Sequence, residues 1–208
     1  GHRIVTYHPT ARISTCALDR CRFLLFVLLL ACLCKPAPAA GKGGDDDDVH
    51  IRDTRSLLVD GVYRVGARVD IQLNDTLQEA LHNGVPLTIN LTIEVVRERE
   101  WLFPERVARL VQRFELEYHA LTKTYLVRVA STGTQHGFRT LDDALAFIGD
   151  IYDLPLIDEN LLRPGRKYWV RMRADLDVEA LPTPIRVWAY LGSEWGLKGD
   201  WHRWPLLP

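Results

Sequence analysis

The chain has 208 residues, of which 47% are hydrophobic, 25% charged and 9% aromatic; this ordinary globular composition excludes collagen-like, wholly disordered and multi-span membrane readings. Its formal net charge of -1 conceals an asymmetry, because residues 1–39 hold five basic side chains (Arg3, Arg12, Arg20, Arg22 and Lys35) against one acidic, Asp19. The remainder is therefore mildly acidic and offers no net footprint for phosphates, so nucleic acid is not expected as a main partner.

All four cysteines, Cys16, Cys21, Cys32 and Cys34, fall in the first 34 residues. Arg20 and Arg22 precede an apolar run from Phe23 to Leu33. At 1.5 Å rise per residue this run reaches about half a bilayer core, too short to span it. A basic segment, a short apolar segment and then small residues form the pattern of an exported leader. Ala37-Pro38-Ala39 places cleavage after Ala39, and residues 1–15 read as an upstream extension or artefact. Leu29-Leu30-Ala31-Cys32 offers a second exit, resembling a lipobox in which Cys32 is lipidated and tethers the protein to a membrane. Membrane contact is expected only in that case. Cleavage at Ala39 would leave no cysteine for a disulfide, a thiolate or a zinc site. The expected location is the periplasm, with a lipid-anchored envelope protein as the alternative. Residues 40–48, ending in Asp45-Asp46-Asp47-Asp48, read as a solvated spacer, since the acidic run lacks the spaced ligands of a calcium loop.

From Val49 to the end the chain reads as a single β-rich domain. Val49 and Ile51 open a strand continued by Ser56–Val59, and Asp60-Gly61 is a hairpin signal. Tyr63, Val65, Ala67, Val69, Ile71 and Leu73 alternate strictly with polar or small residues, giving a long strand with one dry face. Asn74-Asp75 caps a short helix with Leu77, Ala80 and Leu81 on one face and Gly84 at its end. A second long strand runs from Val85 to Val95, with Pro86 restricted to its start or to a sheet edge. Alternation resumes from Ala108 to Tyr118 and, after a turn, at Tyr125, Val127 and Val129. Residues 131–139 read as a loop. Thr140 to Asp143 resembles a capping box opening a helix that closes at Gly149. Pro155, Pro164 and Gly165 punctuate a connecting stretch, and Tyr168–Leu176 is the last clear strand. A loose echo links Val69–Val95 with Met172–Val187, each reading strand, apolar helix, proline, strand. Five long strands and two short helices predict a mainly β fold, an antiparallel β-sandwich with two short helices. A chain this long buries roughly 70% of its unfolded surface, enough to stand without staples.

Chemistry is sparse. His50, His82, His119, His136 and His202 lack zinc spacing, and no metal site is expected. His136 lies in Ser131-Thr-Gly-Thr-Gln-His-Gly137, where hydroxyls near an imidazole allow a nucleophile–base pair and hence a hydrolase. There is no dinucleotide fingerprint, P-loop or nucleophile elbow, so no cofactor and no catalytic residue is assigned, and a non-catalytic role is expected. The C-terminal segment is the most unusual part. Pro182-Thr-Pro184 leads into Trp188, Tyr190, Trp195, Trp201 and Trp204, so four of the six tryptophans lie here. Indoles bring large area at small entropic cost and suit a binding surface, or they close one end of the sandwich.

Lys35-Pro-Ala-Pro-Ala39, Leu73 to Pro86, Tyr118-His-Ala-Leu-Thr122, Thr140-Leu-Asp-Asp-Ala-Leu145, Tyr168-Trp-Val-Arg-Met-Arg173, Leu181-Pro-Thr-Pro184, Ser193-Glu-Trp195 and Trp201-His-Arg-Trp-Pro205 follow one another in a characteristic order. Together these segments resemble a family of exported bacterial proteins of unknown function, the proline-rich signal-peptide proteins of proteobacteria. The resemblance implies a small periplasmic β-rich domain with no assigned catalytic residues. Members are typically encoded beside a membrane sensor kinase of the nitrogen-regulation type, which implies a role in envelope signalling. The sequence thus leads to a periplasmic interaction or accessory domain, with an apolar-ligand module holding its ligand between the sheets as the alternative.

Overall fold

Asp60 and Gly61 both adopt positive φ, +50° and +77°, the backbone of a tight turn whose twist matches the flanking strands. That turn joins β1 (Val49–Val59) to β2 (Val62–Ile71). The computed structural model describes residues 48–99, 103–197 and 199–206. The leader, with Ala39 and Cys32, lies outside the described residues, as do residues 40–47 of the spacer.

The order after β2 is α1 (Asp75–His82), β3 (Leu87–Arg97), β4 (Glu105–His119), β5 (Thr124–Val129), β6 (Gln135–Phe138), α2 (Leu141–Gly149), β7 (Asp150–Asp158), β8 (Tyr168–Leu176), α3 (Thr183–Leu191) and β9 (His202–Pro205). The strands form two antiparallel sheets, β1-β2-β7 and β6-β5-β4-β3-β8-β9. One apolar core joins them. It runs from Val65 and Val69 of β2 to Leu87, Ile89, Leu91, Ile93 and Val95 of β3, and on to Val170 and Met172 of β8. This arrangement is an open antiparallel sandwich, as the alternation predicts.

Local chemistry explains the predicted elements. Asn74 caps α1, its side chain accepting from Leu77 N–H at 3.0 Å, and Leu77, Ala80 and Leu81 are buried. Thr140 caps α2 by accepting from Asp143 N–H at 3.1 Å while its hydroxyl donates to the Asp143 carboxylate at 2.6 Å. Gly149 closes α2 against β2, where a Cβ would stand 1.9 Å from the Val69 carbonyl oxygen. Pro86 lies just outside β3, which has neighbours on both edges and no place for a residue without an N–H.

Four elements depart from the sequence reading. Residues 135–138 form an edge strand, β6, where a loop is expected; they are mostly exposed and polar, so no apolar period announces them. Residues 150–158 form β7 where a connecting stretch is expected. Register shifts break its alternation, Asp153 takes a φ of +47°, and Pro155 is tolerated because β7 is a sheet edge. Residues 183–191 form a third helix, α3, so the echo between Val69–Val95 and Met172–Val187 fails at its last step. A proline within the first turn favours a helix there rather than breaking it. Finally, β9 pairs with β8 through Trp204 and Val170, adding an edge strand to the larger sheet.

Candidate functional site

The C-terminal aromatic residues separate into three environments. Trp204 belongs to the core at 6% exposure, and its indole N–H donates to Ser56 Oγ at 2.9 Å. Trp195 is half-buried against the same core. Trp201 is half-buried on the outer face of the larger sheet, where the Arg171 and Arg173 guanidiniums lie 4.4 and 4.8 Å from its ring centre. Trp188 and Tyr190 are exposed on α3, and the Tyr190 hydroxyl donates to Glu179. That hydrogen bond, with burial and the Glu179 charge behind it, pushes the Tyr190 phenol up.

α3 has an unusual distribution of apolar side chains. Leu181 and Ala189 are buried and Ile185 packs on the core, a row at four-residue spacing that fixes the helix to the domain. Arg186 ties down its start by donating to the Leu181 carbonyl at 3.2 and 2.9 Å, and the Gly192 N–H closes its end on the Trp188 carbonyl at 3.0 Å. Yet Pro184, Val187, Trp188 and Leu191 are also apolar and all are exposed, Trp188 to 69% and Leu191 to 78%. Their spacing of i, i+3, i+4 and i+7 places them along one side of the helix. An apolar stripe of this kind facing water is what marks an interaction site.

A second feature is a cleft of about 440 Å³ beside α1 and α2, lined by Leu73, His82, Tyr125, Leu141, Asp142 and Leu145 among others. His82 Nε2 and the Tyr125 hydroxyl are 2.8 Å apart, and the Tyr118 ring stacks edge-on to His82 at 4.9 Å. Burial, with the nearby Tyr118 and Asp142, pushes the Tyr125 phenol up. Sequence reasoning missed this grouping because His82, Tyr125 and Asp142 come from three elements that only the fold brings together.

His136 stands apart from the hydroxyls of its own segment. Its ring packs on Phe147 at 4.6 Å, while the Thr132 and Thr134 hydroxyls bond each other at 2.7 Å. The pairing of His136 with a neighbouring hydroxyl is therefore not formed among the described residues. Among those residues no three His, Cys, Asp or Glu side chains stand together so as to hold a metal ion, and no helix is long and apolar enough to cross a membrane.

No curated protein and no solved structure matches the chain. The model of a domain of unknown function, DUF4390, matches residues 46–205. This match takes in every element from β1 to β9, and the chain belongs to the DUF4390 family.

Proposed function

We propose that this is an exported, non-catalytic interaction domain of the cell envelope, whose α3 stripe docks on a helix of a partner protein. The observation that carries the reading is the exposed row Pro184, Val187, Trp188 and Leu191 on a helix already anchored by the adjacent row Leu181, Ile185 and Ala189. Spacing of i, i+3, i+4 and i+7 is the seam of a helix pair, so the partner presents an apolar helical stripe of its own. The family resemblance suggests the periplasmic segment of a membrane sensor kinase as that partner. The test is surface plasmon resonance between the full chain and the purified periplasmic segment of a membrane sensor kinase of the nitrogen-regulation type. Binding that weakens more than tenfold on Val187→Glu, with an unchanged melting temperature, supports the reading. No binding, or equal binding by the variant, overturns it.

A second reading rests on the cleft at His82 and Tyr125. Its apolar wall of Leu73, Leu141 and Leu145, with His82, Tyr125 and Asp142 as the polar groups, fits a small apolar ligand carrying one hydrogen-bonding head. The cleft is at the α1–α2 margin of the domain rather than between the sheets, where Leu91, Ile93 and Met172 fill the space. Native mass spectrometry of the purified chain showing a retained ligand, lost on Leu145→Trp, supports this reading; repeated clean spectra count against it.

A further inference from the structure

The outer face of the larger sheet concentrates positive charge. Cross-strand pairing sets Arg109 opposite Glu94, Glu94 opposite Arg171 and Arg171 opposite Arg203, a row across β4, β3, β8 and β9. Adjacent strands are about 4.8 Å apart, so the row extends roughly 14 Å. Arg106, Arg113 and Arg173 stand on the same face in neighbouring rows. Glu94 accepts from Arg106 at 3.1 Å and Arg171 at 2.8 Å, with Arg109 3.7 Å away. Asp177 faces Arg113 at 3.2 Å and Asp175 faces Arg173 at 3.4 Å. Among the described residues these six guanidiniums face three carboxylates, while farther along β4 Glu115, paired with Arg128, and Glu117 continue the same face and confine the positive surplus to the β4–β3–β8–β9 end. Glu98, which accepts from the Trp169 indole N–H at 3.3 Å, adds one more negative charge at the margin. The patch keeps a surplus of positive charge that the mildly acidic overall balance conceals.

The arrangement keeps these cations available. Glu94 is almost wholly buried, with a side-chain exposure of 3%, while the side chains of Arg106, Arg109 and Arg113 remain about half exposed. One buried carboxylate therefore gathers Arg106, Arg109 and Arg171 side by side; Arg106 and Arg109 stay about half exposed, while Arg171, like Arg173, lies against the Trp201 ring. Arg203 is held over the Trp169 ring at 5.0 Å. Phe103, 92% exposed, precedes Arg106 by three residues at the start of β4.

We propose that this face binds the anionic headgroups of a membrane surface. Guanidiniums donate to phosphate oxygens with good geometry, and the array is spread in two dimensions, across four strands and along β4. Such a spread matches a plane of phosphates better than a single extended acidic peptide, and Phe103 supplies an apolar side chain for the interfacial region. This inference is independent of the α3 reading, because it rests on different residues and a different partner.

The test is co-sedimentation of the full chain with vesicles of phosphatidylcholine alone and of equal parts phosphatidylglycerol and phosphatidylcholine. The leader is present throughout, so comparison between variants isolates the sheet face. The expected result is stronger binding to the anionic vesicles, weakened about fivefold for each arginine lost in Arg109→Gln and Arg203→Gln. Arg109→Lys keeps most of the binding, Phe103→Ser weakens it, and high salt removes the preference for anionic lipid. Equal partition onto both vesicle types overturns the proposal, as does unchanged binding by the double arginine variant. Capture of an acidic peptide or an oligonucleotide without vesicle binding also overturns it and assigns the face to that partner.

Discussion

Arg171 and Glu94 face each other across the β3–β8 pair, with Arg171 Nε donating to Glu94 Oε2 at 2.8 Å and Nη2 lying 2.6 Å from the same oxygen. This buried carboxylate organises the basic face and contributes to stability. Removing its charge leaves three guanidiniums crowded together without their shared partner. Glu94→Gln is expected to cost about 2 kcal/mol, below the full penalty of a broken buried pair because the arginines reach water. Urea denaturation at neutral pH measures it.

The same residue predicts a pH dependence. Burial pushes the Glu94 carboxyl up, but hydrogen bonds from Arg171 and Arg106 outweigh burial and hold it below the ordinary glutamate value. A depressed folded value means that the stabilisation is fully present above the unfolded value, about 4.3, and is lost as pH falls through the folded one. The stability difference between the parent and Glu94→Gln should therefore shrink between pH 7 and pH 3. A constant difference would contradict this linkage.

The tryptophans should separate by environment. Trp204→Ala removes a core ring and strands the Ser56 hydroxyl, with an expected loss of about 3–5 kcal/mol. Trp188→Ala removes an exposed ring and should change stability by less than about 0.5 kcal/mol. Thermal unfolding of both variants checks the contrast.

Gly149→Ala tests the contact between α2 and β2. Its Cβ would meet the backbone oxygen of Val69 at 1.9 Å, and a backbone atom cannot turn aside as a flexible side chain can. The helix must shift from the sheet, with an expected loss of more than about 2 kcal/mol in chemical denaturation.

These residues also show which features are legible in the sequence. Strict alternation from Tyr63 to Leu73 and the caps at Asn74 and Thr140 are local signals, and each corresponds to an element that the structure contains. β7 is hidden because its bulge interrupts the period and Pro155 reads as a breaker away from a sheet edge. α3 is hidden because the prolines of Pro182-Thr-Pro184, in the echo with Val69–Val95, point to a strand rather than to the first turn of a helix. The arginine face is invisible to net charge, which counts residues without placing them. Only strand register brings Arg109, Glu94, Arg171 and Arg203 into one row.

The central claim is that the outward stripe of α3 recognises a partner helix. Its most direct test is photo-crosslinking in living cells, with a reactive residue at position 188 and a control at position 121. Leu121 is at least as accessible, 93% exposed in the β4–β5 turn. The account predicts adducts with the sensor kinase's periplasmic segment from position 188 and none from position 121. No adduct from position 188 in folded, exported protein, or the same adducts from both positions, would contradict it.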